Sequence, residues 1–128
     1  MKIKGFEQYY VANDEGSSGC IIRTFCKLYD QNYKEVYRGL TKIVKEKKAL
    51  SYTEEEVYEE YMKQRDTLPI KLHGEVQVKD LDLPEGSYAI YCSDKVNWNH
   101  LIPLVDGIVY DKNDDCMNLY VLKVFKKN

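Results

Sequence analysis

The chain has 128 residues, a hydrophobic fraction of 44% and a formal net charge of -2, from 19 basic and 21 acidic side chains. These values are typical of one globular domain, and we expect residues 1–128 to form a single domain. The near balance of charge argues against a protein that binds nucleic acid by neutralising phosphates. No apolar run approaches the ~20 residues that a membrane-spanning helix needs, so no membrane partner is expected.

The first residues and the cysteines both indicate a reducing, cytoplasmic setting. Residues 6–10 are polar and aromatic, unlike the apolar core of ~7–15 residues in a secretion signal. The cysteines, at positions 20, 26, 92 and 116, lack the CxxC spacing that zinc sites use. We therefore expect a cytoplasmic protein with free thiols, no disulfide, no metal site and no cofactor.

The first half of the chain predicts helices. Residues 1–18 have the composition of an irregular entry segment, and Ser18 is placed to cap a helix over Gly19–Leu28. Asn32 is a good N-cap for a second helix. The apolar side chains of Tyr33–Val44 recur there at helical spacing, which predicts one buried stripe.

Two further signals concern the helices and their contacts. Gly39 weakens the second helix by about 1 kcal/mol relative to alanine, and we interpret it as a point of close approach to another element. A third helix is predicted to start at Thr53, where Glu56 would complete a capping box.

The second half of the chain predicts strands. Asp106-Gly107, between two apolar runs, is a strong signal for a hairpin with a two-residue turn. Helices followed by an antiparallel sheet define the α+β class, which is the fold that we expect. The predicted strands are residues 75–79, 88–92, 101–105, 108–111 and 119–125.

Cys20 and His100 are candidates for a nucleophile and its base. Cys20 opens the first predicted helix, where the helix dipole favours a thiolate and lowers a cysteine pKa from its usual ~8.5. His100 opens the apolar strand that leads into the hairpin. A histidine within hydrogen-bond reach of the thiol would act as its general base.

The predicted hairpin nominates an acid that would orient the histidine. A two-residue turn places Asp111 opposite Ile102, so that Asp111 and His100 project from the same face of the sheet, one diagonal step apart. Asn113 would lie directly opposite His100 and is the second candidate. Asp115 keeps the same parity but lies beyond the expected strand end, and it is the third.

Acyl transfer also requires hydrogen-bond donors for the oxyanion. The backbone N–H of Cys20, at the start of a helix, is one candidate. Side-chain amides shortly upstream supply the other candidates, Asn13 first and Gln8 second.

Two segments carry a resemblance to a known family. Gly19–Phe25 followed by Tyr33–Tyr37, and His100–Asp111 with its Asp106-Gly107 turn, resemble small papain-like cysteine peptidase-like proteins of phages and Firmicutes. The resemblance runs from Gly19 to about Asp115. It implies a papain-like core, with N-terminal helices packed on an antiparallel β-sheet, and Cys20, His100 and Asp111 as the counterparts of a catalytic triad.

Two functions are compatible with these residues. The first is a papain-like cysteine hydrolase, a peptidase, isopeptidase or amidase, that acts on a protein or peptide. The alternative is a non-catalytic protein-interaction module on the same scaffold, such as a phage-encoded inhibitor of a host protein. The 12 tyrosines of this small chain suit a protein-binding surface.

Overall fold

The computed structural model describes residues 1–11 and 19–128, and it confirms the α+β class. Within these residues, three α-helices come before most of the strands, and one six-stranded sheet collects all of the strands. Two short 3₁₀ helices, Val78–Asp80 and Asp114–Asn118, lie between strands. The other elements are β1 (Gly5–Gln8), α1 (Gly19–Tyr29), α2 (Tyr33–Lys47), α3 (Glu55–Lys63), β2 (Thr67–Ile70), β3 (Ser87–Ser93), β4 (Asn99–Val105), β5 (Ile108–Asp111) and β6 (Tyr120–Lys127).

The sheet is mixed, which corrects the expectation of a purely antiparallel one. Its strand order is β1-β5-β4-β3-β6-β2, and β1 runs parallel to β5 while every other neighbouring pair is antiparallel. Gly5–Gln8 therefore belong to a strand, although the sequence predicted an irregular segment there. Beyond the strand, the Tyr9 N–H donates to the Asp111 carbonyl at 2.8 Å, which ties this end of the chain to β5.

Helices α1 and α2 start where the sequence predicted and end at Tyr29 and Lys47, and the predicted cap Ser18 lies outside the described residues. At the start of α2, the Asn32 side chain accepts a hydrogen bond from the Glu35 N–H, and the Glu35 carboxylate accepts one from the Asn32 N–H. Gly39 is a point of close approach, as predicted, because a Cβ there would lie 2.7 Å from the ring of Tyr61 on α3. Tyr61 in turn stacks on Phe25 of α1, with ring centroids 4.7 Å apart.

The predicted cap of α3 is wrong. Glu54, not Thr53, is the N-cap residue, and its side chain makes no capping hydrogen bond. The Glu54 carboxylate instead accepts hydrogen bonds from the N–H groups of Leu50 and Ser51, in the preceding turn. The Glu54 carboxylate therefore stabilises the loop before α3 and does not cap the first turn of α3.

The predicted hairpin is confirmed. Strands β4 and β5 pair antiparallel around Asp106-Gly107, with Leu104 opposite Val109. Both turn residues have positive φ, 52° for Asp106 and 84° for Gly107, as a two-residue turn of this twist requires. This register determines which side chains at the far end of the hairpin share a face.

The strand predicted at residues 75–79 is wrong. Gln77 makes only an isolated bridge to Tyr120, and Val78 then enters a 3₁₀ helix. The alternation of apolar and polar residues over positions 75–79 reflects the burial of Val78. Its side chain is fully enclosed, and its N–H donates to the Leu119 carbonyl. The edge of β6 is occupied elsewhere by β2, which the sequence did not predict.

Two groups of buried side chains lie against the sheet. One contains the apolar faces of α1, α2 and α3, with Ala89, Leu101 and Phe125 from the strands. The other contains the strand residues that alternate with those of the first group, such as Ile90 and Ile102, together with side chains from the 3₁₀ helices. In the part of the chain that the structure describes, no helix has the length and apolar character needed to cross a membrane.

Candidate active site

Cys20 lies in the first turn of α1, where its backbone N–H has no partner within the helix. Its side chain is only 8% exposed. The thiol lies close enough to the His100 side chain and to the Leu101 backbone for both to act on its charge. Thr24, one helical turn further on, donates to the Leu101 carbonyl at 2.8 Å. Two successive turns of α1 are thus fixed to the same residue of β4.

His100 is the second residue of β4, and its ring is buried. Its Nε2 lies 2.7 Å from Oδ2 of Asp111. Because Asp111 occupies Nε2, Nδ1 is the ring nitrogen left for the Cys20 thiol. The indole of Trp98 covers the imidazole, with ring centroids 5.0 Å apart.

Asp111 ends β5 and is held by several donors besides His100. Its Oδ1 lies 2.9 Å from Nη2 of Arg23, with both side chains buried, and accepts the Lys112 N–H at 2.8 Å. Asp111 and His100 share a face of the sheet, as the hairpin register predicted. The structure therefore brings Cys20, His100 and Asp111 into one chain of contacts.

Arg23 is the residue of this site that the sequence reasoning missed. It lies three residues after Cys20, a spacing that places two side chains on the same side of a helix. One helix therefore contributes both the thiol and the guanidinium, and one hairpin contributes the imidazole and the carboxylate. An arginine within a segment as apolar as Gly19–Leu28 was the available signal, because a buried arginine needs an ionised partner.

The contacts favour a thiolate beside an imidazolium. Burial by itself would raise the pKa of Cys20, but the hydrogen bond and charge of His100, the Leu101 N–H and Arg23 together hold it below the usual thiol value. Burial would lower the pKa of His100, but its hydrogen bonds to Asp111 and Cys20 raise it to about 9. Burial likewise opposes ionisation of Asp111, and His100, the Lys112 N–H and Arg23 nevertheless keep its pKa below the usual carboxyl value.

Of the other candidate residues, Asn113, Asp115 and Gln8 make contacts outside this chain. Asn113 is exposed, and its side chain caps the second 3₁₀ helix by accepting the Asp115 N–H. Asp115 is exposed in that 3₁₀ helix, because the strand ends at Asp111 and the chain turns away from His100. The Gln8 amide donates to the Lys112 carbonyl at 3.0 Å. Asn13 lies outside the described residues.

Two further thiols lie beside the site but differ from Cys20 in their partners. Cys92 is opposite His100 on β3, and its Sγ donates to the His100 carbonyl at 3.3 Å. The Cys116 thiol donates to the Asn113 carbonyl at 3.7 Å and lies near the Asp111 side chain. Burial, together with the negative charge of Asp111, raises the pKa of both thiols above the usual value. All four cysteines are free of disulfide bonds, as expected.

An open cleft of about 420 Å³ reaches the Cys20 side chain. Trp98 and Leu101, on either side of His100 in sequence, form part of its wall. A pocket of this size falls in the range of roughly 300–1,000 Å³ that is common for small-molecule sites. A substrate carbonyl can therefore approach the thiol from the cleft, while His100 and Asp111 lie behind it in the protein.

No metal centre is formed by the described residues, since no group of three or more His, Cys, Asp or Glu side chains in ranges 1–11 and 19–128 is arranged to hold an ion. No protein-family model matches this chain, and no curated protein or solved structure is significantly similar to it.

Proposed function

We propose that this protein is a papain-like cysteine hydrolase that cleaves a peptide, isopeptide or side-chain amide bond. Cys20 is the nucleophile, His100 the general base and acid, and Asp111 the residue that orients the imidazole. The observation that supports this most strongly is the buried chain of contacts from the Cys20 thiol through His100 to Asp111, with 2.7 Å between Nε2 and Oδ2. Cys20 also lies at a helix N-terminus, where the helix dipole stabilises a thiolate.

The proposed reaction has two steps. The Cys20 thiolate attacks the carbonyl carbon, and the C–N bond breaks as His100 transfers its proton to the leaving amine. Water then attacks the resulting thioester, His100 accepts a proton from that water, and the acid leaves as the C–S bond breaks. The Cys20 N–H, which has no acceptor within α1, is a donor for the oxyanion in both steps.

Asp111 contributes through His100. Its Oδ2 holds the Nε2–H and so directs Nδ1 towards the thiol, and its charge stabilises the imidazolium that exists before attack. Arg23 and the Lys112 N–H hold the other carboxylate oxygen, which leaves Asp111 one orientation. We interpret Arg23 as a positioning residue, because it acts on the carboxylate and not on the substrate.

An activated ester tests the proposal without knowledge of the natural substrate. p-Nitrophenyl acetate should release nitrophenolate with the wild-type protein and acetylate Cys20 transiently, as mass spectrometry of the quenched reaction would show. Cys20→Ala and His100→Ala should fall to the background rate while their circular dichroism spectra stay unchanged. Cys26→Ala, a buried thiol on the same helix, is the matched control and should keep the wild-type rate. Wild-type turnover by folded Cys20→Ala would refute the proposal.

The interaction-module alternative has one structural feature in its favour. The loop between β3 and β4 exposes apolar side chains at the rim of the cleft, with Val96 84% and Trp98 38% exposed. A partner protein could cover these side chains without any reaction at Cys20. On this alternative, Cys20→Ala keeps the full biological effect, while Val96→Asp or Trp98→Ala abolishes it.

A further inference from the structure

The cleft beside Cys20 is walled mainly by rings and apolar side chains. Tyr58 from α3 and Tyr91 from β3 form one wall, with their ring centroids 6.2 Å apart. Trp98 forms another, and Ile21 and Leu101 flank the thiol. Aromatic walls of this kind stack on other rings and bury apolar area against aliphatic groups.

Trp98 is held in place by the loop that carries it. Oδ1 of Asp94 accepts hydrogen bonds from the N–H groups of Val96, Asn97 and Trp98, at 2.8, 3.1 and 3.0 Å. The Asp94 N–H also donates to the Trp98 carbonyl at 3.1 Å. One carboxylate thus fixes the whole turn, so the indole is a preformed wall that contacts both the cleft and the His100 ring.

Among the described residues that line the cleft, only the reactive Cys20 thiolate carries a charge. Its remaining lining side chains are the neutral polar Thr53, Asn97 and Asn99. The nearest ionised groups on α3, Glu55 and Glu59, already contact Lys123. The Cys20 charge is already compensated by His100, so a charged substrate group in this cleft would lose its hydration without gaining a further partner of opposite charge from these residues, which is unfavourable.

We propose that this cleft binds an uncharged aromatic or branched aliphatic side chain of the substrate, on the residue next to the scissile carbonyl. The inference rests on the proposed function, since it takes Cys20 as the attacking group. The three rings provide the contact surface, and the amides of Asn97 and Asn99 are placed to form hydrogen bonds with the substrate backbone. The protein is therefore selective for hydrophobic residues at the cleavage site.

A matched set of electrophiles tests the selectivity. Iodoacetamides that bear a benzyl, an isobutyl, a carboxyethyl or an ammonioethyl group are reacted with the protein at pH 6, and labelling of Cys20 is followed by mass spectrometry. Each rate is divided by the rate of the same reagent with glutathione. The benzyl and isobutyl reagents should exceed both charged reagents at least tenfold and should show saturation. Equal normalised rates, or a faster charged reagent, would overturn the cleft proposal while leaving Cys20 as a nucleophile.

Two variants locate the preference in the cleft. Trp98→Ala and Tyr91→Ala should each reduce the normalised ratio of benzyl to carboxyethyl labelling at least threefold. Tyr37→Ala removes an aromatic side chain that is 46% exposed on α2, outside the cleft, and should leave the ratio unchanged. An unchanged ratio in both cleft variants would assign the preference to another surface and overturn the proposal.

A binding measurement separates this proposal from the reactivity of the thiol. Trp98 is the single tryptophan of the chain, so its emission reports on the cleft. In Cys20→Ala, N-acetylphenylalanine amide should shift the emission in a saturable way, and N-acetylaspartic acid amide should not. A shift with the phenylalanine amide alone would support the cleft proposal, whether or not Cys20 is reactive. Failure of every reagent to label Cys20 would refute the proposed hydrolase and leave the cleft proposal standing. Identical responses to the two amides would overturn the cleft proposal.

Discussion

Cys20 and Cys92 are both buried cysteines beside His100, yet their surroundings act in opposite directions. Burial would raise the pKa of Cys20, but the His100 side chain, the Leu101 backbone and Arg23 lower it. Cys92 donates to the His100 carbonyl and lies near the Asp111 carboxylate, so burial and the negative charge raise its pKa. The comparison shows that burial alone does not make a thiol inert. The charge of its partners decides which thiol ionises.

The largest effects on turnover are expected for the two residues that complete the proposed triad with Cys20. His100→Ala should lower turnover of p-nitrophenyl acetate to background, and Asp111→Asn should cost less, because an orienting residue contributes less than a base. In a comparable triad these losses are roughly 10⁶-fold for the base and 10⁴-fold for the orienting acid. Equal turnover in Asp111→Asn and the wild type would mean that Asp111 has only a structural role.

The buried ion pair of Arg23 and Asp111 provides the next largest effect. Removing one partner of such a pair costs about 3–5 kcal/mol of unfolding free energy, whereas an exposed pair contributes about 0–1 kcal/mol. Urea unfolding should therefore show a large loss for Arg23→Gln and little change for Lys123→Gln, whose ion pairs with Glu55 and Glu59 are largely exposed.

Arg23→Lys separates positioning from bulk stability. It keeps the positive charge but loses the planar fork of the guanidinium. Folded Arg23→Lys should recover most of the stability while its turnover stays below the wild-type value. If the stability and the turnover of Arg23→Lys both equal the wild-type values, the positive charge alone explains the role of Arg23.

The pH dependence of turnover offers a test of the thiolate–imidazolium pair. Turnover should fall at low pH as the Cys20 thiolate is protonated, at a pH below the usual thiol pKa. With an amide substrate it should fall again with a midpoint near pH 9, where His100 loses the proton that the leaving amine needs. Asp111→Asn should move this upper midpoint down, because the hydrogen bond to Asp111 raises the His100 pKa. A wild-type upper midpoint near 6.5, the ordinary histidine value, would contradict the account.

The smallest effect is expected for the second thiol of the comparison. Cys92→Ala removes a buried sulfur and its hydrogen bond to the His100 carbonyl, and should cost about 1–2 kcal/mol of stability. Turnover and labelling at pH 6 should stay within about twofold of the wild type, because a thiol with a raised pKa is not a nucleophile there. Loss of turnover in folded Cys92→Ala would mean that Cys92, and not Cys20, is the nucleophile.

The parts of the fold that the sequence predicted depend on local chemistry. Asp106-Gly107 specifies its turn through two residues that tolerate positive φ, and the turn then fixes which face Asp111 shares with His100. Asn32 and Glu35 form their cap within one turn of helix. In each case the interacting groups are close in sequence, so the pattern itself contains the contact.

The parts that the sequence did not predict depend on distant partners. Gly5–Gln8 become a strand only because they pair with Ile108–Asp111, far along the chain. β2 contains Pro69, which reads as a breaker but is tolerated on the outermost strand of the sheet. The contact of Arg23 with Asp111 joins residues 88 positions apart, and no local pattern specifies it.

Alkylation of the folded protein by iodoacetamide at pH 6 tests the claim that His100 ionises Cys20. Peptide mapping should find the label on Cys20, with Cys92 and Cys116 unmodified over the same time. His100→Ala should slow the labelling at least tenfold, because a cysteine with the usual pKa of ~8.5 is almost entirely protonated at pH 6. Labelling of Cys20 that is no faster than that of the other thiols, or that is unchanged in His100→Ala, would contradict the claim.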